Sequence, residues 1–338
     1  MLLLTCLFLP FATAATVRVG FNPGFSDSMV LQRAPAKAAV YGYATAGTSV
    51  TLKIQGGAYT YILATTATAD GAWRVYLHPT PPGGSYTATL TGGATPIVLT
   101  DLTFGDVYLC SGQSNMALMT VFSFSADTIR DDVQKHGKYD NVRIFQYGGM
   151  QANESLLGFD NRFVTTIGGI AEDPYSFRWF NLTQSMRNVT YPSGPDSRDA
   201  DQTPTGKFAS KPPFDEFSAT CMYFGLELSN ARAAAGVADV PIGLIQSAVG
   251  GSIIEAWISN SSLSTCSDQF PAPKPGKPYA LQHIPGALYY GMISPFVNMT
   301  ISGWTWYQGE VGESLLFLLS ACTREVNQRY SSSTNGTI

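Results

Sequence analysis

Three short stretches of the sequence place a hydroxyl, a pair of glycines and a side-chain amide shortly after apolar runs. Ser114 follows the run VYLC, Gly250 and Gly251 follow IGLI, and Gln308 follows GWTW. Acyl transfer requires a nucleophile and N–H donors that face the developing oxyanion, and these residue types can supply both. The pattern therefore indicates acyl transfer, provided that the three stretches meet in the folded chain.

Each stretch alone also has an ordinary structural interpretation. Ser114 can cap a helix, Gly250 and Gly251 can begin one, and Gln308 can be a loop amide. The G-x-S-x-G nucleophile elbow is absent, since Met116 occupies its last position. All three stretches nevertheless follow predicted strands, and the carboxyl ends of neighbouring strands in an open α/β sheet line one crevice. We therefore favour a shared site.

The elements that must position these residues are predicted from alternating strand-like and helical segments. Strand-like apolar runs occupy residues 107–110, 142–145, 242–245 and 301–306. Residues 218–235 are the clearest helix candidate, because apolar side chains recur there at helical spacing. These side chains are Cys221, Phe224, Leu228, Ala231 and Ala235. Strands that alternate with helices predict an α/β layer fold with a mostly parallel sheet.

The first part of the chain has a different pattern. Residues 17–100 contain short runs rich in Val, Thr, Tyr and Ile, separated by Gly and Pro turns, which predicts a small β-sandwich. We therefore divide the chain into a leader at 1–15, a β-sandwich domain at 16–100 and an α/β domain at 101–338. An irregular insertion is predicted at 147–216.

Composition and charge narrow the functional class. The 338 residues are 45% apolar and 13% charged, which allows a sizeable core. Lys and Arg number 20 against 24 Asp and Glu, and no basic stripe occurs. These features argue against nucleic acid or an anionic membrane as a partner.

The start of the chain predicts export. Residues 1–15, MLLLTCLFLPFATAA, resemble a signal peptide, although no Lys or Arg precedes the apolar run. No later apolar run approaches the roughly 20 residues that span a bilayer. N-x-S/T sequons predict N-glycans at Asn153, Asn181, Asn188, Asn260, Asn298 and Asn335. We therefore expect a soluble glycoprotein that is secreted or lysosomal.

Four cysteines follow the leader. In an oxidising compartment they can form two bridges, one bridge or none. Cys110 ends an apolar strand and is predicted to be a buried free thiol, whereas Cys266 and Cys322 lie in more polar sequence and are the better pair. The cysteine spacings match no zinc pattern.

Taken in order, four segments resemble the sialate O-acetylesterase family of the SGNH hydrolase superfamily. They are MVLQ at 29–32, GDVYLCSGQSNM at 105–116, PIGLIQSAVGGSIIEAW at 241–257 and ALYYGMISPFVNMTISGWTWYQGE at 287–310. The resemblance implies an SGNH-type three-layer α/β/α domain after the β-sandwich. It also implies a carboxylic ester hydrolase that removes O-acetyl groups from sialic acids or related sugars, with no metal or organic cofactor.

The resemblance also assigns roles to individual residues. Ser114 corresponds to the nucleophile, Gly251 to the oxyanion-hole glycine, with Gly250 as the neighbouring candidate, and Gln308 to the amide donor. Residues beside these positions are predicted to bind substrate, namely Gln113, Asn115, Gly250 and Glu310.

One part of the family pattern is missing. The family's base is a histidine three residues after an aspartate, C-terminal to YQGE, whereas no Asp-x-x-His occurs around His78, His136 or His283. We therefore interpret the chain as a truncated member with weak turnover, because a serine hydroxyl is a poor nucleophile without a base. The alternative is an inactive remnant or a glycan-binding protein. A structural role is favoured for His136 and His283, although His283 is the first candidate for a substitute base.

Overall fold

The computed structural model describes residues 18–22, 24–57, 59–147, 178–187, 212–237, 240–264 and 283–310. The strands in these ranges are β1 (Val19–Phe21), β2 (Val30–Gln32), β3 (Ala39–Ala44), β4 (Ser49–Gly56), β5 (Tyr59–Thr66), β6 (Ala72–Tyr76), β7 (Gly83–Thr91), β8 (Ile97–Gly112), β9 (Val142–Gln146), β10 (Trp179–Asn181), β11 (Ile242–Ala248) and β12 (Gly303–Tyr307). The α-helices are α1 (Ala126–His136), α2 (Leu182–Ser185), α3 (Pro213–Glu216), α4 (Ala219–Ala234) and α5 (Asn260–Leu263).

Strand β8 is the centre of the larger sheet. The sheet has nine strands, with the order β10-β9-β11-β8-β7-β4-β5, and β2 and β12 also pair with β8. β8 pairs in parallel with β2, β11 and β12 but antiparallel with β7. A second sheet has the order β1-β3-β6. One 16-residue strand therefore links the N-terminal antiparallel strands to the parallel strands that carry the candidate site.

The structure confirms a mixed α/β chain with a multi-stranded sheet. The runs predicted as strands after residue 102 coincide with β8, β9, β11 and β12. Parallel and antiparallel pairs contribute equally to the larger sheet, four of each, so a mostly parallel sheet is not confirmed. The separate β-sandwich is not confirmed either, since β4, β5 and β7 belong to the same sheet as β11. The predicted domain boundary at residue 100 falls inside β8, and the division into domains remains a prediction.

The helix predicted at 218–235 is confirmed as α4, with Ser218 as its N-cap and the Ser218 side chain accepting from the Cys221 N–H. Its buried face differs from the predicted one. Gly225 and Leu226 are buried, while Leu228 is only half-buried. Gly225 allows the helix to lie directly on Leu244 of β11, because a Cβ at residue 225 would clash with that side chain.

The prediction of a free Cys110 thiol is wrong. Cys110 and Cys221 form a disulfide with Cα atoms 5.8 Å apart, and both residues are fully buried. The reason is tertiary: the first turn of α4 packs on the face of β8 that carries Cys110. Cys266 and Cys322 lie outside the described residues, as do the leader, Asn153, Asn188 and Asn335.

A buried carboxylate, Asp106, joins the N-terminal strands to the α/β part. It accepts hydrogen bonds from Arg33 at 2.8 and 3.0 Å, from Ser302 at 3.0 Å, and from Arg232 of α4. Burial raises the pKa of Asp106, but the hydrogen bonds from Arg33 and Ser302 and the two guanidinium charges outweigh burial and hold it below its ordinary value. The carboxylate therefore stays ionised and fixes three segments of the chain.

Replacing this carboxylate by an amide, Asp106→Asn, is expected to lower the free energy of unfolding by about 3 kcal/mol at neutral pH, since it leaves two guanidinium groups without their counter-charge. The pKa is depressed in the folded state, so the stabilisation is present above the unfolded value and is lost as pH falls through the folded value. Urea unfolding between pH 3 and pH 7 measures both effects. Asp131→Asn, which removes an exposed ion pair with Lys135, is the control and should change little. An equal loss for both variants at pH 7 would contradict the assignment.

In the portion of the chain that the structure covers, no helix is long and apolar enough to cross a membrane.

Candidate active site

The ends of β8, β11 and β12 meet around Gly112. Both neighbouring strands run parallel to β8, and Gly112 is in register with Ala248 on one side and Tyr307 on the other. Gly112 has φ +128°, and a Cβ at this position would lie 1.9 Å from the Tyr307 carbonyl oxygen. Only glycine therefore allows β12 to approach here. The three stretches singled out in the sequence consequently emerge at one edge of the sheet.

Ser114 lies directly after β8, at the start of the 3₁₀ turn Ser114–Met116. Its φ is +48°, a left-handed conformation that is uncommon for residues with a Cβ and is frequent at functional turns. Ser114 is half-buried. Ser111 and Ser247 are fully buried, and their hydroxyl groups donate to main-chain carbonyl oxygens. Of these three serines, Ser114 is the one with a side chain that a substrate can reach.

The glycine loop, residues 249–253, is attached to the end of β8. The Val249 N–H donates to the Gly112 carbonyl oxygen at 2.9 Å. Gly251 has φ +67°, a conformation that favours glycine. Among the described residues, no acceptor meets the N–H groups of Gly250 and Gly251. These groups are therefore available to a ligand, as an oxyanion hole requires.

Two side chains hold the carbonyl groups of the same loop. His283 Nε2 lies 2.9 Å from the Gly251 oxygen, and Gln308 Nε2 donates to the Ser252 oxygen at 3.3 Å. The buried Ser252 hydroxyl accepts from the Trp257 Nε1–H at 2.8 Å. The predicted amide donor, Gln308, thus lies beside the glycine loop. One of its two N–H groups is used there, and a second remains for another acceptor.

Gln113 and Glu310 connect the Ser114 turn to the end of β12. Gln113 is fully buried, its N–H donates to the Tyr307 oxygen at 2.7 Å, and its Nε2 donates to Glu310 Oε2 at 2.5 Å. The Gln113 hydrogen bond lowers the pKa of Glu310 by more than burial raises it, and smaller contributions from the hydroxyl groups of Tyr307 and Ser114 lower it further. A carboxylate that is ionised at neutral pH therefore lies next to Ser114.

The remaining residues predicted to bind substrate lie at the surface of the site. Asn115 is exposed, and its Nδ2 is 3.4 Å from the Tyr307 hydroxyl oxygen. Gly250 and Glu310 are exposed as well. The structure thus brings all the predicted site residues to one edge of the sheet, with Gln113 beneath the surface.

The histidines take other positions. His78 stacks on Tyr61 with ring centroids 4.2 Å apart, His136 ends α1, and His283 contacts the Gly251 carbonyl. In the described ranges, no histidine nitrogen hydrogen-bonds Ser114. The structure therefore places His283 at the glycine loop, where it orients the main chain.

An aromatic cleft next to the site was not predicted from the sequence. An open cavity of about 400 Å³ is lined by Ile254, Trp257, Trp304 and Trp306. Trp306 packs edge-on against both other indoles, with centroids 5.4 and 5.6 Å apart. The motif GWTWY could have indicated this cleft, because alternate residues of a strand lie on one face, and Trp304 and Trp306 are two residues apart. Aromatic walls of this kind are common in pockets for organic ligands.

Comparisons with known proteins identify relatives of this chain. It is 31% identical to sialate O-acetylesterase of Homo sapiens over 307 residues, which is 88% of this chain and 50% of that protein. It is 28% identical to sialate O-acetylesterase of Rattus norvegicus over an alignment of 354 positions, which covers 95% of this chain and 57% of that protein. The chain thus spans about half the length of these curated relatives. No protein-family model matches it.

A solved structure has a similar fold. The crystal structure of a carbohydrate acetylesterase from Xanthomonas citri matches with a TM-score of 0.59 and 24% identity, over 86% of this chain and 51% of that one. The relatives match over 88–95% of this chain, and the structural neighbour has a similar fold. These similarities support the sialate O-acetylesterase family for this chain.

Proposed function

We propose that this chain carries the nucleophile and the oxyanion hole of a carboxylic ester hydrolase that removes O-acetyl groups from sugars. The observation that carries the proposal is the convergence at Gly112, which brings Ser114, Gly251 and Gln308 to one edge of the sheet. The names of the relatives, sialate O-acetylesterases, and of the structural neighbour, a carbohydrate acetylesterase, support an acetylated carbohydrate as substrate. We further propose the SGNH-type three-layer arrangement with a preceding β-sandwich for the whole protein.

The proposed reaction has two steps. The Ser114 oxygen gives up its proton and forms a bond to the acetyl carbonyl carbon, and the bond from that carbon to the sugar oxygen breaks as the sugar oxygen takes up the proton. In the second step a water oxygen bonds to the same carbon, the bond to Ser114 breaks, a water proton returns to the serine oxygen, and acetic acid leaves as acetate and a proton. The negative oxygen of each tetrahedral intermediate faces the Gly251 N–H and the free N–H of Gln308. His283 assists indirectly, because its hydrogen bond to the Gly251 carbonyl keeps the loop in place.

Replacing Gln308 by alanine tests the oxyanion assignment. We expect kcat for acetate release from an O-acetylated sugar to fall by about 10²–10³-fold, with KM little changed, because the donor acts mainly on the developing charge. Acetate is measured enzymatically over a range of substrate concentrations. Gln308→Glu keeps the size of the side chain but replaces the amide donor by a carboxylate, so kcat should fall by as much as in Gln308→Ala. A change confined to KM would mean that Gln308 only positions the substrate.

A second candidate function, glycan binding without turnover, is favoured by one observation. None of the three histidines hydrogen-bonds Ser114 in the described structure, and a serine without a base is a weak nucleophile. The aromatic cleft provides a surface for a sugar in either case. Binding of an acetylated sugar to the wild-type chain without release of acetate would support this function over hydrolysis.

We also propose that the protein is secreted or lysosomal and carries N-glycans. Support comes from the leader-like start and from the sequons at Asn181, Asn260 and Asn298, of which Asn260 is exposed. The buried Cys110–Cys221 disulfide suits an oxidising compartment.

Glycosidase treatment tests this proposal. Protein made in a eukaryotic host is expected to lose apparent mass after removal of N-glycans, and Asn260→Gln is expected to remove one of the glycans. Electrophoresis before and after treatment measures both changes. Unchanged mobility of the wild-type protein would contradict export.

A further inference from the structure

The centre of the glycine loop is open on the side where a side chain would lie. A Cβ added at Gly250 or Gly251 would meet no atom of the described residues within 4 Å, apart from the adjoining residues of the chain. Glycine also has more main-chain freedom than any other residue. The direction of the two free N–H groups therefore depends on hydrogen bonds made at the borders of this open part.

Ser252 is the residue at one of these borders. It follows Gly251, which has φ +67°, and it is fully buried. Its hydroxyl oxygen accepts from the Trp257 Nε1–H at 2.8 Å, and its carbonyl oxygen accepts from Gln308 Nε2 at 3.3 Å. One residue of the loop thus contacts both a buried indole and the proposed amide donor.

Trp257 joins Ser252 to β12. It lies in the 3₁₀ turn Ile254–Trp257, is buried, and packs edge-on against Trp306 with ring centroids 5.4 Å apart. Trp306 is two residues before Gln308. Ser252 is therefore braced against the end of β12 along two routes, directly through Gln308 and indirectly through the two indoles.

The contact with Ser252 also decides which end of the Gln308 amide faces the loop. A carbonyl oxygen only accepts hydrogen bonds, so the amide must present Nε2 to it rather than Oε1. If the Ser252 carbonyl rotated away, the amide would be free to turn its oxygen towards the reacting group. An oxygen in that place would repel the developing negative charge that the N–H stabilises.

We propose that Ser252, anchored by Trp257, is a positioning residue that aligns the Gly251 and Gln308 donors of the oxyanion hole. The inference rests on the proposed function and extends it to two residues that act through these donors. Misaligned donors act mainly on the developing charge, so kcat should change more than KM. A hydroxyl that only paired a buried indole would instead affect stability alone.

Two variants remove this hydrogen bond from opposite sides. In Ser252→Ala and in Trp257→Phe, kcat for acetate release from an O-acetylated sugar is expected to fall by about threefold to tenfold, the worth of one hydrogen bond. KM should change little in Ser252→Ala. The double variant should lose no more than the larger single loss, because both substitutions remove the same bond. Trp73→Phe and Ser185→Ala, which remove a buried indole N–H and a buried hydroxyl elsewhere in the fold, are the matched controls and should leave kcat unchanged.

A second measurement does not depend on turnover. In the full chain labelled with ¹⁵N-glutamine, the side-chain amide signal of Gln308 is identified by its absence in Gln308→Ala. Hydrogen–deuterium exchange of this amide is expected to be about threefold to tenfold faster in Ser252→Ala than in the wild-type chain, because its acceptor is no longer held in place. Ser185→Ala should exchange at the wild-type rate.

Three results would overturn the inference while leaving the proposed function intact. They are an unchanged kcat in Ser252→Ala, an equal loss in the two control variants, and losses that add in the double variant. If the wild-type chain releases no acetate, the proposed hydrolysis has failed, and the exchange measurement then decides the inference. Faster exchange of the Gln308 amide in Ser252→Ala supports it, and equal exchange in Ser252→Ala and the wild-type chain contradicts it.

Discussion

Replacing Ser114 by alanine is expected to abolish transfer of an acetyl group from an activated ester to the protein. In the wild-type chain, 4-nitrophenyl acetate should acetylate Ser114, because its side chain is half-buried at the edge of the sheet beside the N–H groups of Gly250 and Gly251. The loss should be about 10³-fold or more, the scale seen when a serine nucleophile is removed. Mass spectrometry of the peptide that contains Ser114, at several times after mixing, measures the transfer.

Two other serines provide matched controls for this experiment. Ser111→Ala and Ser247→Ala each remove a hydroxyl group from the same region, but both hydroxyls are buried and donate to carbonyl oxygens. We expect acetylation of Ser114 to persist in both variants. Acetyl groups on other residues, or equal acetylation of the protein in Ser114→Ala, would show that Ser114 is not the nucleophile.

The second large effect concerns the Cys110–Cys221 disulfide. It closes a loop with a sequence separation of 111 residues, so its removal is expected to lower the free energy of unfolding by about 4–5 kcal/mol. That is a large share of the stability of an ordinary domain. The double variant Cys110→Ser, Cys221→Ser should therefore unfold at a much lower temperature than the wild-type chain, measured by circular dichroism.

Treatment with a reductant serves as the control for the double variant. The unfolding temperature of the wild-type protein should fall on reduction, towards that of the double variant. The double variant lacks this bridge, so reduction of the Cys110–Cys221 bond cannot lower its unfolding temperature. A wild-type unfolding temperature that is insensitive to a reductant, and equal to that of the variant, would contradict a disulfide at this position. The bridge also joins β8 to α4 only four residues before Ser114, so acetylation of Ser114 should slow in the double variant.

Local sequence determined which strands form and where the candidate site lies. Apolar runs such as VYLC and IGLI satisfy strand geometry regardless of distant partners, and both appear in the structure as β8 and β11. Turn chemistry after these strands is also local, which is why Gly112 and Gly251 lie at positive φ, where glycine is favoured. The grouping of Ser114, Gly251 and Gln308 followed from a general property of parallel strands, whose carboxyl ends meet at one edge.

Only the tertiary structure decided how these elements face one another. Helical periodicity located α4 but assigned it a different buried face, because Gly225 rather than a large side chain sets the closest approach to Leu244. The same packing brings Cys221 to Cys110, a pair that is 111 residues apart in sequence and shares no local signal. Contacts between distant segments depend on which faces pack, and a one-dimensional pattern does not contain that information. The Gln113–Glu310 hydrogen bond beside Ser114 is of this kind, since it exists only because β12 lies against the end of β8.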